Sequence, residues 1–300
     1  MNERYYYTCD LEDTAAASGK AVLSTGALEG VRDLVSEAVA SAFGPGALRS
    51  LPFEEIRAYF RSLRSPDEFV VSLDDATYVP DADAYFDSTR TYRSIADVSG
   101  GAYDVMRRDG SPLSGQAADI VRRAKASGKD VVVCDDGIFS GDTVRAVLGE
   151  LKAAGLRVKA VRVALNFSKS ATLDGTPIQA YESPEKFIDW IDERDFFYGV
   201  KNGGASFCGP DGAVRGVPYV YSPEIAERKA TIDRARFAEF RDLTLAANAQ
   251  LWDVVSRARG SVVSLLELPR VAWLAGNPSA PMADVVAGLA KPGFGRSSAA

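Results

Sequence analysis

Between residues 116 and 167 the chain twice alternates a stretch of helical spacing with an unbroken apolar run. QAADIVRRAKASG ends at Gly128 and leads to VVVC at 131–134. TVRAVLGELKAAG places Val144, Val147, Leu148 and Leu151 on one helix face and leads to VKAVRVALNF at 158–167. A strand whose residues are apolar without alternation is buried on both faces, and helices between such strands supply the cover. Units of about thirty residues built this way imply α/β architecture, with a mostly parallel sheet flanked by helices.

The remaining segments are read from the same signals. The aromatic start at 5–7 suits an added edge strand, and residues 27–42 form a helix stopped by FGPG. A helix over 52–63 opens near Pro52 and shares Ile56, Tyr59, Phe60 and Leu63 on one face. EFVVSL (68–73), DAYFDSTRTYR (83–93) and TPIQAYE (176–182) have strand composition. Residues 97–114 are rich in Gly and Ser and read as a long loop of the kind that serves as a lid. PDG at 210–212 marks a turn between two short strands. Ser222, Pro223 and Glu224 start a helical extension, one long helix or two, that runs without Gly or Pro to Gly260. The expected organisation is an N-terminal strand and helix region (1–49), an α/β core (50–221), a helical C-terminal region (222–290) and a disordered tail (291–300).

Composition limits the chemistry. A formal charge of -6 shows no basic excess, so nucleic acid is not an expected partner. No apolar run is long enough to span a bilayer, and MNERYYYTCDLED has no leader pattern, so a cytoplasmic protein is expected. Cys9, Cys134 and Cys208 are too scattered for a disulfide framework or a zinc site and read as reduced thiols. The chain has no histidine, which removes Ser-His-Asp and Cys-His catalysis and imidazole-bound metals. Carboxylates, Lys, Arg, Tyr, backbone amides and a hard metal ion remain.

In an open parallel sheet, ligands bind beyond the carboxyl ends of the strands. VVVCDDGIFSGDT (131–143) occupies such a place. Ser140, Gly141, Asp142 and Thr143 would wrap a helix start, so that backbone N–H groups converge with two hydroxyls into an anion cradle. Asp135 and Asp136, just before it, suit the paired hydroxyls of a ribose. Together these describe a site for a ribose 5-phosphate.

The same thirteen residues resemble the phosphoribosyl-pyrophosphate (PRPP) signature of the type I phosphoribosyltransferases. The resemblance implies that fold, and transfer of ribose 5-phosphate from PRPP to a nitrogenous acceptor with release of pyrophosphate. It implies that Asp135 and Asp136 bind the ribose hydroxyls, and that Gly137, Ile138, Phe139, Ser140, Gly141, Asp142 and Thr143 hold the 5-phosphate. It also implies Mg²⁺, met by Asp135 and Asp136 through water or the ribose hydroxyls. By order in the chain, EFVVSLDDATY would end in the pyrophosphate loop and 97–113 would be the hood. Arg90 and Arg93 are the expected catalytic cations, with Arg107 and Arg108 also within reach. RDFFYGVKNGG (194–204) falls at the acceptor loop, which points to Asp195, Phe197, Tyr198 and Lys201. A homodimer is typical of the family.

Two residues depart from the pattern. Phe139 stands where some purine-salvage members carry an Asp that assists proton transfer, and Asp142 puts a negative charge into the phosphate loop. These departures keep open a non-catalytic PRPP- or nucleotide-binding regulatory protein of the same fold. A haloacid-dehalogenase-like phosphatase fits poorly, because Cys134 stands where its nucleophilic Asp belongs. The bland reading of the paired acids is a solvated turn or a helix cap.

Overall fold

A computed structural model describes residues 3–24, 26–74, 78–209, 211–274 and 277–290. The chain opens with β1 (Tyr5–Thr8), α1 (Leu11–Gly19), α2 (Glu29–Phe43), β2 (Leu48–Leu51) and α3 (Phe53–Ser62). β3 (Glu68–Ser72), β4 (Ala84–Tyr85), β5 (Thr89–Tyr92), α4 (Ile95–Gly100) and β6 (Asp104–Met106) follow. Next come α5 (Leu113–Ser127), β7 (Asp130–Ile138), α6 (Asp142–Ala153) and β8 (Val158–Asn166). β9 (Thr172–Leu173), β10 (Thr176–Glu182), β11 (Asp189–Asp192), β12 (Ala205–Cys208) and β13 (Val214–Val217) lead to α7 (Pro223–Ala230), α8 (Phe237–Arg259) and α9 (Met282–Leu289).

The expected α/β architecture is present. Among the described residues the largest sheet runs β4-β3-β7-β8-β10-β9, with all pairs parallel except β9 with β10. Its strands are buried on both faces for the reason their composition gave. Phe69, Val71, Val131 and Val133 pack under α5 and α6, while Val70, Val132 and Cys134 pack with Phe53, Ile56 and Phe60 of α3. Burial pushes the Cys134 thiol up to about 12, as befits an inert core residue.

The three tyrosines are not at an edge. β1 is the middle strand of a second parallel sheet, β2-β1-β11. Alternation sends Tyr5 and Tyr7 into one core and Tyr6 into another, so all are buried. The first of these cores joins the two ends of the chain. Leu11, Val31 and Val35 pack there with Leu245, Trp252 and Met282, so residues from 1–49 and 222–290 share one interior. The helical extension is two helices, α7 and α8, followed by α9.

The segment expected as a long loop is largely ordered. Ser94 caps α4 by accepting from the Asp97 amide, and β6 pairs with β5 in a third sheet, β13-β12-β5-β6. β12 and β13 form the hairpin expected around PDG, of which residue 210 lies outside the described residues. The expected tail, 291–300, also lies outside them. No helix among the described residues is long and apolar enough to cross a membrane.

Candidate functional site

Counted along the chain, the five parallel strands stand in the order second, first, third, fourth, fifth. The direction of winding reverses between β3 and β7, and the crevice beyond the carboxyl ends of such a pair is where open α/β sheets take ligands. A cleft of about 570 Å³ opens there. Leu73 and Asp74 after β3, Asp135 to Gly137 of β7, and residues 139–144 line it, together with residues of β5, Tyr103 and residues of α7.

Asp135 and Asp136 belong to the strand itself. β7 runs on to Ile138, four residues past the expected end at Cys134, because its pairing with β8 continues to Ile138 opposite Asn166. The loop before α6 therefore shortens to 139–141, and Gly137 and Ile138 are strand residues. Burial pushes the Asp135 carboxyl up to about 7, with Asp74 adding to the shift. Asp136 is pushed well up, by burial first and then by Asp135, Asp192 and Asp74, while Arg194 opposes. Glycine at 137 is a packing requirement, since a Cβ there would lie 2.5 Å from the Trp190 ring.

Arg194 organises the acids. Its guanidinium meets Asp192 (2.7 Å), Asp74 (3.0 Å), Asp10 (3.2 Å) and Asp136 (3.5 Å), with only 5% of its side chain exposed. The Tyr78 hydroxyl donates to the other oxygen of Asp192. Four carboxylates thus gather round one cation, and among the described residues Asp74 Oδ1 is buried without a hydrogen-bond partner. Sequence reasoning did not single out Asp10, Asp74, Asp192 or Arg194, although Asp74 fell in the expected pyrophosphate loop and Arg194 at the head of the expected acceptor loop. The sole signal was the acid-rich stretch IDERD, whose partners lie far off in the chain.

The start of α6 is pre-occupied by its own anion. Gly141 takes φ +81° before the first helical turn. Asp142 accepts from Ser140 Oγ (2.6 Å) and Tyr103 Oη (2.7 Å), and pairs with Arg145 (3.0 Å). The Ser140 and Tyr103 hydroxyls hold its carboxyl below the usual range. Thr143 lines the cleft beside it. Phe139, 37% exposed, stacks on Phe167 at 4.6 Å and lies 6.0 Å from Trp190, a platform the sequence did not disclose.

Of the expected cations, Arg90 lies in the cleft, with its guanidinium 5.8 Å from the Tyr103 ring centre. Arg108 lines it too, paired with Asp87. Arg93 does not: its side chain is 81% exposed and paired with Asp104, outside the cleft wall. Arg107 pairs with Asp109, also outside it. Of the expected acceptor residues, Asp195 lines the cleft, and burial and Asp192 push its carboxyl up to about 7. Phe197 and Tyr198 are core residues instead. The Tyr198 amide donates to Asn248 Oδ1 (2.7 Å) and its carbonyl accepts from Trp252 Nε1 (2.9 Å), so α8 turns this segment inward. Lys201 also lies outside the cleft wall, its amide donating to Ser18 Oγ (2.6 Å). Arg228 and Lys229 of α7, which no motif announced, do line it.

No protein-family model and no curated protein matches the chain. Among solved structures, the chain is similar to a purine phosphoribosyltransferase from Pyrococcus horikoshii Ot3, with 14% identity and a TM-score of 0.29 over 47% of this chain and 84% of that one. Likeness of that degree does not place the chain in a family.

With no histidine in the chain and no cysteine on the cleft wall, the acids of the cleft offer a cation oxygen donors. Among the described residues no three side chains converge into a ready metal cage. Carboxylates at a strand end, without a cage, suit a hard cation that keeps its waters and shares its ligands with a bound phosphate.

Proposed function

We propose that the cleft binds PRPP and transfers its ribose 5-phosphate to an acceptor nucleophile, releasing pyrophosphate. One observation carries this reading. The switch point sets two adjacent carboxylates, Asp135 and Asp136, on the same wall as the start of α6. A diol site and an anion site that share one wall match the two ends of a ribose 5-phosphate.

In the reaction the bond from the anomeric carbon to pyrophosphate breaks, a bond to the acceptor forms, and the acceptor gives up a proton. The chain's work is positioning. Asp135 and Asp136 accept from the ribose hydroxyls, and the first amides of α6 with the Ser140 and Thr143 hydroxyls receive the 5-phosphate. Asp142 then turns fully toward Arg145, releasing the Ser140 and Tyr103 hydroxyls for the phosphate. Arg90 faces the charge that gathers on the leaving group. Asp195, which also lines the cleft, is available to the acceptor. Asp135 and Asp136 would hold Mg²⁺, which when bound neutralises pyrophosphate charge.

A second reading has its own observation. Asp142 fills the phosphate position with a carboxylate, which favours a protein that binds PRPP weakly and senses it without turnover. Isothermal titration of PRPP with Mg²⁺ into the full chain tests both readings. Saturable binding by the wild type, strongly weakened in Asp135→Asn with Asp136→Asn, is expected. Release of pyrophosphate in the presence of candidate acceptors then separates enzyme from sensor. A folded wild-type protein that binds no PRPP would overturn both.

A further inference from the structure

Arg90, Arg228 and Lys229 line the cleft, and among the described residues none of them has a carboxylate within ion-pair distance. They gather round two tyrosines. Arg90 lies over the Tyr103 ring at 5.8 Å, Lys229 lies 4.5 Å from the Tyr92 ring centre and contacts its hydroxyl, and the two rings are 5.9 Å apart. Arg228 reaches the same place from α7, where its Nη2 would lie 3.2 Å from a Cβ at Gly101. Gly101 has φ +70°, a conformation that calls for glycine at this meeting of α4 and α7.

Like charges brought together without counter-charges repel one another, and a bound anion relieves that repulsion. Lys229 shows the effect: burial, then Arg90 and Arg228, push its ammonium down to about 7, while Asp195 and Asp189 oppose them in part. Those two acids act from beyond ion-pair distance and have hydrogen bonds of their own. Asp189 accepts from Thr231 Oγ1 (2.7 Å) and Asp195 from the Gly204 amide (2.9 Å). The place where sequence order puts a pyrophosphate loop is acidic instead, with Asp74 bound to Arg194 and residues 75–77 outside the described residues.

We propose that Arg90, Arg228 and Lys229 form a second anion site in the cleft, apart from the start of α6, which takes a phosphate-class anion. The proposal deepens the function given above and rests on it for the source of the anion. That source is either the pyrophosphate end of PRPP or an anionic group on the acceptor.

The test is calorimetric titration of inorganic pyrophosphate, without metal, into the full chain. The wild type should bind it. Arg228→Gln with Lys229→Gln should weaken binding by about tenfold or more, with an unchanged far-UV spectrum and melting curve. Asp135→Asn with Asp136→Asn should keep it, because no ribose is involved. No binding by the wild type, or equal binding by the Arg228/Lys229 variant, would overturn the site. Should that variant unfold, Arg90→Gln serves in its place under the same criteria. PRPP that displaces pyrophosphate assigns the site to the PRPP tail, and PRPP that binds alongside it assigns the site to the acceptor. Both results uphold the site. Failure of the PRPP reading would appear separately, as PRPP binding indifferent to Asp135 and Asp136.

Discussion

Asp142 is where the chain departs most from an ordinary phosphate cradle. Its carboxylate accepts from Ser140 and Tyr103, and 46% of its side chain is exposed, so its repulsion of a phosphate is screened. Asp142→Asn should tighten PRPP binding roughly 2- to 5-fold at low salt, and less as salt rises. Titration at two ionic strengths checks this, and weaker binding would show that Asp142 helps the ligand. Asp135 carries a cost of another kind. Its carboxyl is raised to about 7 in the folded chain, so its effect on stability is most favourable below its unfolded value, near 4. That effect is lost as pH rises to about 7 and is constant above. Asp135→Asn should therefore melt about 2–3 °C above wild type at pH 8 and level with it at pH 4. A variant melting lower at pH 8 would contradict a buried carboxylate held there at a cost in stability. Asp135 and Asp136 were legible in the sequence because an apolar run fixes the strand before them. Arg194 was not, because its partners come from residues 10, 74, 136 and 192 and local spacing holds no record of them.

At the scale of elements, periodicity located what is set locally and missed what is set by pairing. β7, α6 and β8 were readable from their own residues, as was the β12–β13 hairpin. The extension of β7 through two aspartates was not, since carboxylates are poor strand formers and only pairing with β8 holds them there. β1 has the composition of an edge strand or a middle one, and its neighbours β2 and β11 decide which it is. α4 and β6 were hidden in a Gly- and Ser-rich stretch whose capping residue, Ser94, lies before it. The fit of β7 against β11 turns on Gly137, where an added methyl meets the rigid Trp190 ring. Gly137→Ala should destabilise the fold by about 1–3 kcal/mol. Urea unfolding followed by tryptophan fluorescence reads this, and a variant as stable as wild type would show that the ring can move aside.

At the scale of the molecule, Arg194 joins the N-terminal segment, both strands of the switch point and β11 at one buried point. Removing a single cation from among several buried carboxylates leaves them uncompensated, so Arg194→Met should destabilise by about 3–5 kcal/mol at pH 8. The loss should be smaller at pH 5, where raised carboxyls such as Asp135 and Asp136 take up protons. Denaturation at the two pH values checks this, and an equal loss at both would show that shape rather than charge is at stake. The shared core of the chain's two ends explains why the helical C-terminal region had no readable role. Its α8 covers α2 and pins residues 196–198, and its α7 brings two cations to the cleft. The central claim is that a ribose 5-phosphate lies along the β7–α6 wall. A crystal structure of the full chain with PRPP and Mg²⁺ tests it most directly. The account predicts ribose hydroxyls within hydrogen-bond reach of Asp135 and Asp136, and the 5-phosphate on the first amides of α6. Ligand density elsewhere, or a phosphate turned away from α6, would contradict it.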